Sequence, residues 1–69
     1  MININMKKYF VRTTNNYKDS VTDSTYFDSL KITKREAKDS NKFFVEMGQH
    51  AYIKATVFEI IVKVKEVKQ

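Results

Sequence analysis

Near its C-terminal end the chain reads Ala51-Tyr-Ile-Lys-Ala-Thr-Val-Phe-Glu-Ile-Ile-Val-Lys-Val-Lys-Glu-Val67, and this stretch decides the fold. It is rich in β-branched and aromatic residues and contains neither proline nor glycine, so it predicts a strand over residues 51–67. At about 3.3 Å per residue such a strand would reach about 50 Å, whereas a compact domain of this size is about 25–30 Å across. We therefore expect the strand to bend, to break in two, or to project beyond its own domain.

The apolar residues of this segment change face in its middle. Ile53, Ala55 and Val57 share one face of an extended strand, whereas the other face carries Phe58, Ile60, Val62 and Val64. A strand buried on one side would keep a single phase, because a slip of one residue moves every side chain to the opposite face. The change predicts a β-bulge near Val57–Phe58 or coverage of residues 57–62 on both faces. Since a projecting apolar edge aggregates unless another chain covers it, we expect a homodimer or a complex with a partner.

A helix is predicted over residues 34–47. Thr33-Lys34-Arg35-Glu36 matches the capping box, and Ile32 and Ala37 stand where a hydrophobic staple would pack. One stripe of the helix, mostly apolar, is then made of Ala37, Ser40, Phe44 and Met47. Gly48 then stands where a residue in the left-handed conformation commonly ends a helix.

The first half of the chain predicts a hairpin. Residues 2–14 alternate apolar and polar side chains, which is the pattern of a half-buried strand. Residues 15–24 are polar and predict a loop. Residues 25–32 resume a strand with Tyr26, Leu30 and Ile32 on one face, so the two strands would form an antiparallel hairpin with a long tip.

These elements predict a single α+β domain over residues 1–69, of the order β-β-α-β. Its sheet would be three-stranded and mainly antiparallel, with one helix on one face and a long or bulged C-terminal strand. We expect the helix residues Ala37, Phe44 and Met47 to meet four sheet residues in the core, namely Phe10, Leu30, Ile60 and Val62.

The composition narrows the ways in which so short a chain gains stability. A 69-residue domain buries only about 60% of the surface that its unfolded chain exposes, so its stability is marginal. The absence of cysteine excludes disulfides and Cys-based zinc sites, and the single His50 excludes a His-rich metal site. No cofactor is expected, and self-association remains as the source of extra stability.

Targeting signals are not apparent in the sequence. No apolar run approaches the roughly 18 residues of a membrane span, and residues 1–6 lack the apolar region of a signal peptide. We expect a cytoplasmic protein that does not enter membranes. The bias towards Lys, Asn and Ile is typical of AT-rich coding sequences and favours a phage or mobile-element protein of a low-GC bacterium.

The net charge of +5 and the pI near 9.6 favour an acidic partner such as nucleic acid. The charge is spread along the chain, however, and most of it is carried by lysine, whereas arginine suits bidentate phosphate or guanine contacts better. A DNA- or RNA-binding module is therefore the alternative hypothesis. Its contacts would be Lys7, Lys8, Arg12, Lys63 and Lys65.

Catalytic motifs are not found in the sequence. Gly-rich phosphate loops, nucleophile elbows and paired catalytic carboxylates are missing, and His50 has no orienting carboxylate at a recognisable spacing. We predict that the chain is not an enzyme but a small binding protein that modulates or inhibits a partner macromolecule, most simply a protein. Aromatic side chains commonly anchor such interfaces. The candidate anchors are Tyr17, Val21, Tyr26, Phe27 and Tyr52.

Overall fold

The computed structural model describes residues 3–67, which form three strands and one helix. In chain order these are β1 (Asn3–Asn15), β2 (Ser20–Asp23), α1 (Leu30–Glu46) and β3 (Ile53–Lys65). The sheet has the order β2-β1-β3 with antiparallel neighbours, and α1 packs on one of its faces. The predicted α+β architecture of β-β-α-β order is confirmed. Within the described residues, no helix is long and apolar enough to cross a membrane.

Strand β3 pairs with β1 without interruption. The register runs from Asn15 opposite Ile53 to Asn3 opposite Lys65, and no bulge breaks it. The resulting two-stranded ribbon makes the molecule 53 Å long but only 25 Å wide. The expectation of a projecting strand is confirmed. Neither of the two alternatives for the change of phase is seen within residues 3–67: no bulge forms near Val57–Phe58, and residues 57–62 are not covered on both faces, since Phe58 is 40% and Ile61 60% exposed. The apolar phase changes because the apolar side chains of the first half of β3 project towards the helix, whereas most of those in the second half project to the opposite face of the sheet.

The hairpin is tighter than expected. The Asn15 side chain accepts hydrogen bonds from the backbone N–H groups of Tyr17 and Lys18, each at 3.0 Å, and Asp19 takes a positive φ of 52°. A polar side chain that bonds the backbone two and three residues ahead closes a short turn. The chain therefore returns as β2 at residue 20, so the predicted loop over 15–24 and strand over 25–32 are wrong.

Helix α1 begins at Leu30, four residues before the predicted start at residue 34. Ser29 is the N-cap, and its side chain accepts from the N–H of Ile32 at 3.3 Å. Thr33 lies one turn inside the helix, fully buried, and its hydroxyl donates to the Ser29 carbonyl at 2.7 Å. Serine is as good an N-cap as threonine. The predicted capping box and staple are therefore wrong, because Ser29 caps an additional turn.

The end of α1 agrees with the sequence. Gly48 has a φ of 70° and its N–H donates to the Val45 carbonyl at 3.0 Å, while the N–H of Gln49 donates to Phe44 at 2.7 Å. These two bonds form a Schellman motif, which requires a left-handed residue and so favours glycine.

The core lies between α1 and one face of the sheet. Val11, Ala37 and Ala55 are buried there, with Phe44 and Val57 packed against them. Ala37 and Phe44 were predicted correctly. Five predicted core residues are not part of this cluster: Leu30 and Met47, which are exposed, and Phe10, Ile60 and Val62, which lie on the other face of the sheet. The helix packs close to the sheet because the side chains at 37 and 55 are small, and this leaves the larger apolar residues outside.

Candidate binding surface on the open face of the sheet

One face of the sheet has no element of residues 3–67 packed over it. Directly opposed residues of an antiparallel pair project to the same side, and the core residues Val11 and Val57 form such a pair facing α1. The even-numbered residues of β1 and β3 therefore project away from the helix. We call this surface the open face. It consists of Ile4, Met6, Lys8, Phe10, Arg12, Thr14, Lys54, Thr56, Phe58, Ile60, Val62 and Val64, with Val21 and Asp23 from β2.

An aromatic cluster lies at the centre of the open face. Phe10 and Phe58, directly opposed in the ladder, stack with ring centroids 5.6 Å apart, and Tyr26 meets Phe10 edge-on at 5.9 Å. The Arg12 guanidinium lies over both phenylalanine rings, at 5.4 and 5.0 Å from their centroids. Phe10 is buried by these neighbours rather than by the helix. Aromatic pairs of this kind contribute about 0.5–1.5 kcal/mol beyond their area burial.

Beyond this cluster an apolar stripe runs along the two-stranded ribbon. Ile4 lies opposite Val64 and Met6 opposite Val62, so aliphatic side chains face each other across the strands. Ile4 is 51% exposed and Val64 43% exposed, although both are apolar. Contiguous exposed apolar surface of this kind usually marks a site of interaction.

The cations beside the aromatic cluster are already paired with carboxylates. Arg12 donates twice to Asp23, at 2.8 and 3.0 Å, and Lys8 forms an ion pair with Asp28. The hydrogen bond to Asp23 is the main reason that the pKa of Arg12 is raised, and the same bond lowers the pKa of the Asp23 carboxyl. These pairs reduce the local positive charge, so the centre of the open face is apolar in character rather than strongly basic.

The five residues predicted to bind a protein partner fall in three places. Tyr17 and Tyr52 lie together at the hairpin end of the molecule, with ring centroids 5.7 Å apart. Val21 and Tyr26 lie on or beside the open face, where both are more than half exposed. Phe27 bridges to Tyr9 on the helix side and lines a cleft there. The structure thus brings one of the five, Tyr26, into the aromatic cluster.

The residues proposed for nucleic-acid contacts are divided between the two faces. Lys8 and Arg12 belong to the open face, whereas Lys7, Lys63 and Lys65 project from the ribbon on the helix side. Lys7 pairs with Glu59 at 3.2 Å, and this hydrogen bond raises the pKa of Lys7. The five cations therefore do not form one continuous basic surface.

Most of the open face was assigned to the core or passed over at the level of sequence. Phe10, Ile60 and Val62 were expected to be covered by the helix, and Ile4, Met6 and Val64 were not predicted to bind a partner. The signal was present in the change of apolar phase after Val57, because one short helix can cover only one of the two apolar sets.

Within residues 3–67, no group of three or more His, Asp or Glu side chains is arranged to hold a metal ion. No protein-family model matches the chain, and neither the curated proteins nor the solved structures include a significant match to it.

Proposed function

We propose that this chain is a non-catalytic binding protein that modulates or inhibits another macromolecule, and that its open face contacts a protein partner. The observation that carries the proposal is the pair of exposed rings of Tyr26 and Phe58, which pack on the buried Phe10 and are continued by an exposed aliphatic stripe. Buried aromatic and arginine side chains supply most of the affinity in protein interfaces. A small accessory protein of a phage or mobile element is the setting that we expect for such a binder.

The chemistry of the open face indicates what the partner's surface would be like. An apolar patch would have to cover the aromatic cluster and the aliphatic stripe. Carboxylates at its rim would complement the net charge of +5 and, most directly, Lys54, which projects from the open face near the hairpin end. Charge complementarity of this kind speeds association and selects partners more than it raises affinity.

Binding of single-stranded nucleic acid is the second candidate function. Tyr26 and Phe58 are exposed beside Arg12, and sheets that bind single strands stack bases on exposed aromatic side chains next to cations. Against this candidate, Arg12 and Lys8 are both paired with carboxylates, so phosphates would have to compete for them.

Capture from a lysate of the source organism, followed by titration of the purified partner, tests the proposal. Tyr26→Ala removes an aromatic side chain that is 58% exposed beside the open face, and Phe43→Ala removes a similar one, 54% exposed, from the helix. A protein partner should remain bound after nuclease treatment, lose about tenfold or more in affinity with Tyr26→Ala, and bind Phe43→Ala like the wild type.

Two results would overturn the assignment. If nuclease removed all binding, and affinity for an oligonucleotide fell steeply between 50 and about 200 mM salt, nucleic acid would be the ligand. If the two variants weakened the purified complex equally, the open face would not be the contact surface. Circular dichroism of both variants shows whether they retain the native fold.

A further inference from the structure

The outer edge of β3 carries backbone groups that no neighbouring strand of residues 3–67 engages. In an antiparallel ladder alternate residues direct their N–H and C=O groups outward. Ala55 identifies the outward set, since both of its backbone groups bond the side chain of Asn41 rather than β1. Ile53, two residues earlier, donates its N–H to Gln49 at 3.0 Å. The edge beyond Ala55 is open, and its outward residues are Val57, Glu59, Ile61, Lys63 and Lys65.

We propose that a second copy of this chain pairs with this open edge, β3 against β3, antiparallel about a twofold axis at Ile61. Ile61 is the midpoint of the segment from Val57 to Lys65, so this register pairs the whole open edge with itself. The proposal concerns the edge of the sheet and is independent of any partner bound to the open face. It assigns an interface to the homodimer expected from the sequence.

The side chains of the open edge are complementary in this register. Glu59, which pairs with Lys7 of its own chain through one carboxylate oxygen at 3.2 Å, would also lie directly opposite Lys63 of the second copy, and the twofold axis repeats the pair. Directly opposed charges of opposite sign stabilise a sheet, as do apolar pairs. On the open face, Phe58 would meet Val64 and Ile60 would meet Val62 of the second copy, again twice each. The apolar stripes of the two copies would thus join into one.

Neighbouring symmetric registers match the side chains less well. An axis at Ile60 places Glu59 opposite Ile61 and Lys63 opposite Val57, so both charges face apolar residues. An axis at Val62 pairs Glu59 with Lys65 instead, but it places Phe58 opposite Glu66 and Ile61 opposite Lys63. Axes at Glu59 or at Lys63 oppose two like charges, which destabilises a pair of strands. The axis at Ile61 therefore gives the best match, since it pairs Glu59 with Lys63 and Phe58, Ile60 and Ile61 with apolar residues; only at the two ends does an apolar residue, Val57, meet a charge, Lys65.

Two features of the edge restrict pairing to this partner. The side-chain amide of Asn41 already bonds the backbone N–H and C=O of Ala55. An added strand therefore cannot continue past Ala55 towards the hairpin end. Edge lysines ordinarily discourage strand addition, because an arbitrary strand brings no carboxylate to meet them. Pairing with a second copy brings Glu59 of one chain opposite Lys63 of the other, so this lysine then has a carboxylate to meet.

Sedimentation and hydrogen exchange together test the interface. The mass should rise from 8.2 kDa to twice that value with increasing concentration. Over the same range the amide protons of Glu59, Ile61 and Lys63 should become protected, because they point outward in the single chain. Dimerisation with no added protection at these amides would indicate contact through the open face and overturn the proposal, as would a monomer at millimolar concentration.

Charge reversal tests the register. Glu59→Lys and Lys63→Glu should each weaken self-association by about tenfold or more, since each opposes like charges twice. An equimolar mixture of the two variants should form a heterodimer, because every opposed pair then joins a lysine to a glutamate. Lys54→Glu, on the same strand but outside the open edge, is the control and should dimerise normally. Failure of the mixture to associate would exclude this register.

Discussion

The side-chain amide of Asn41 binds the backbone of Ala55 as a neighbouring strand would. It donates to the Ala55 carbonyl at 2.9 Å and accepts from the Ala55 N–H at 2.8 Å. A residue of α1 thereby satisfies the outward backbone N–H and C=O groups of Ala55 at the edge of β3. Natural sheets commonly block their edges in this manner, since an open edge is a template for pairing.

Replacing Asn41 should lower stability. Asn41→Leu leaves two part-buried backbone groups without partners, at a cost of about 1–3 kcal/mol. For a domain of this size each kcal/mol corresponds to a fall of about 4–8 °C in Tm. Thermal unfolding followed by circular dichroism measures this fall in Tm. Lys42→Leu, at the exposed neighbouring position, is the control and should change Tm little. Equal Tm values for the two variants would contradict the role of Asn41.

The ion pair between Arg12 and Asp23 should make stability depend on pH at acidic values. The hydrogen bond from Arg12 lowers the pKa of Asp23 below its ordinary value of 3.8. A carboxyl with a lowered pKa in the folded state stabilises the fold above its unfolded pKa, and this contribution is lost as the pH falls through the folded value.

Thermal unfolding of wild type and Asp23→Asn checks this expectation. The difference in Tm should be constant above about pH 5 and should shrink towards zero below the unfolded pKa. High salt should also reduce it, since both groups are accessible to solvent. Asp39→Asn, on the exposed side of α1, serves as the control and should show no comparable trend. A difference that stays constant at acidic pH would contradict the prediction.

The contact between helix and sheet should not tolerate larger side chains. Ala55 is only 4% exposed and lies in the core with Ala37 and Val11. Ala55→Leu would force α1 away from the sheet and should destabilise the protein by about 1–3 kcal/mol. Chemical denaturation measures the change. Ala51→Leu, at an exposed turn position, should stay within about 0.5 kcal/mol of wild type.

The helix start at Ser29 can be tested against the start that the sequence suggested. Ser29→Ala removes the cap and should cost about 1 kcal/mol. Thr33→Val keeps the shape of a buried side chain inside the helix, and it should cost less. If Thr33 were the cap, Thr33→Val would lower the helical circular dichroism signal more than Ser29→Ala does.

Local patterns in the sequence predicted the order of the elements and several of their ends. Gly48 ends α1 as expected, because a left-handed residue is needed there and glycine adopts that conformation without strain. The helix start could not be located in this way, since Ser29 and Thr33 are equally able to cap. Likewise, β2 was missed because a four-residue segment with Val21 as its single apolar residue has no apolar periodicity, and only its pairing with β1 makes it a strand.

The sequence by itself determined that β3 is long, that it is apolar on both sides, and that one helix precedes it. Those properties follow from residue types and their spacing along one chain. Only the tertiary structure decided which apolar set the helix covers. Both sets are hydrophobic enough to be buried, but α1 packs on the face that carries Ala55, where Ala37 and Val11 are buried with it, and Asn41 holds the helix there. The larger side chains from Phe58 to Val64 therefore remain on the open face, because close packing, unlike hydrophobicity, depends on which surfaces meet.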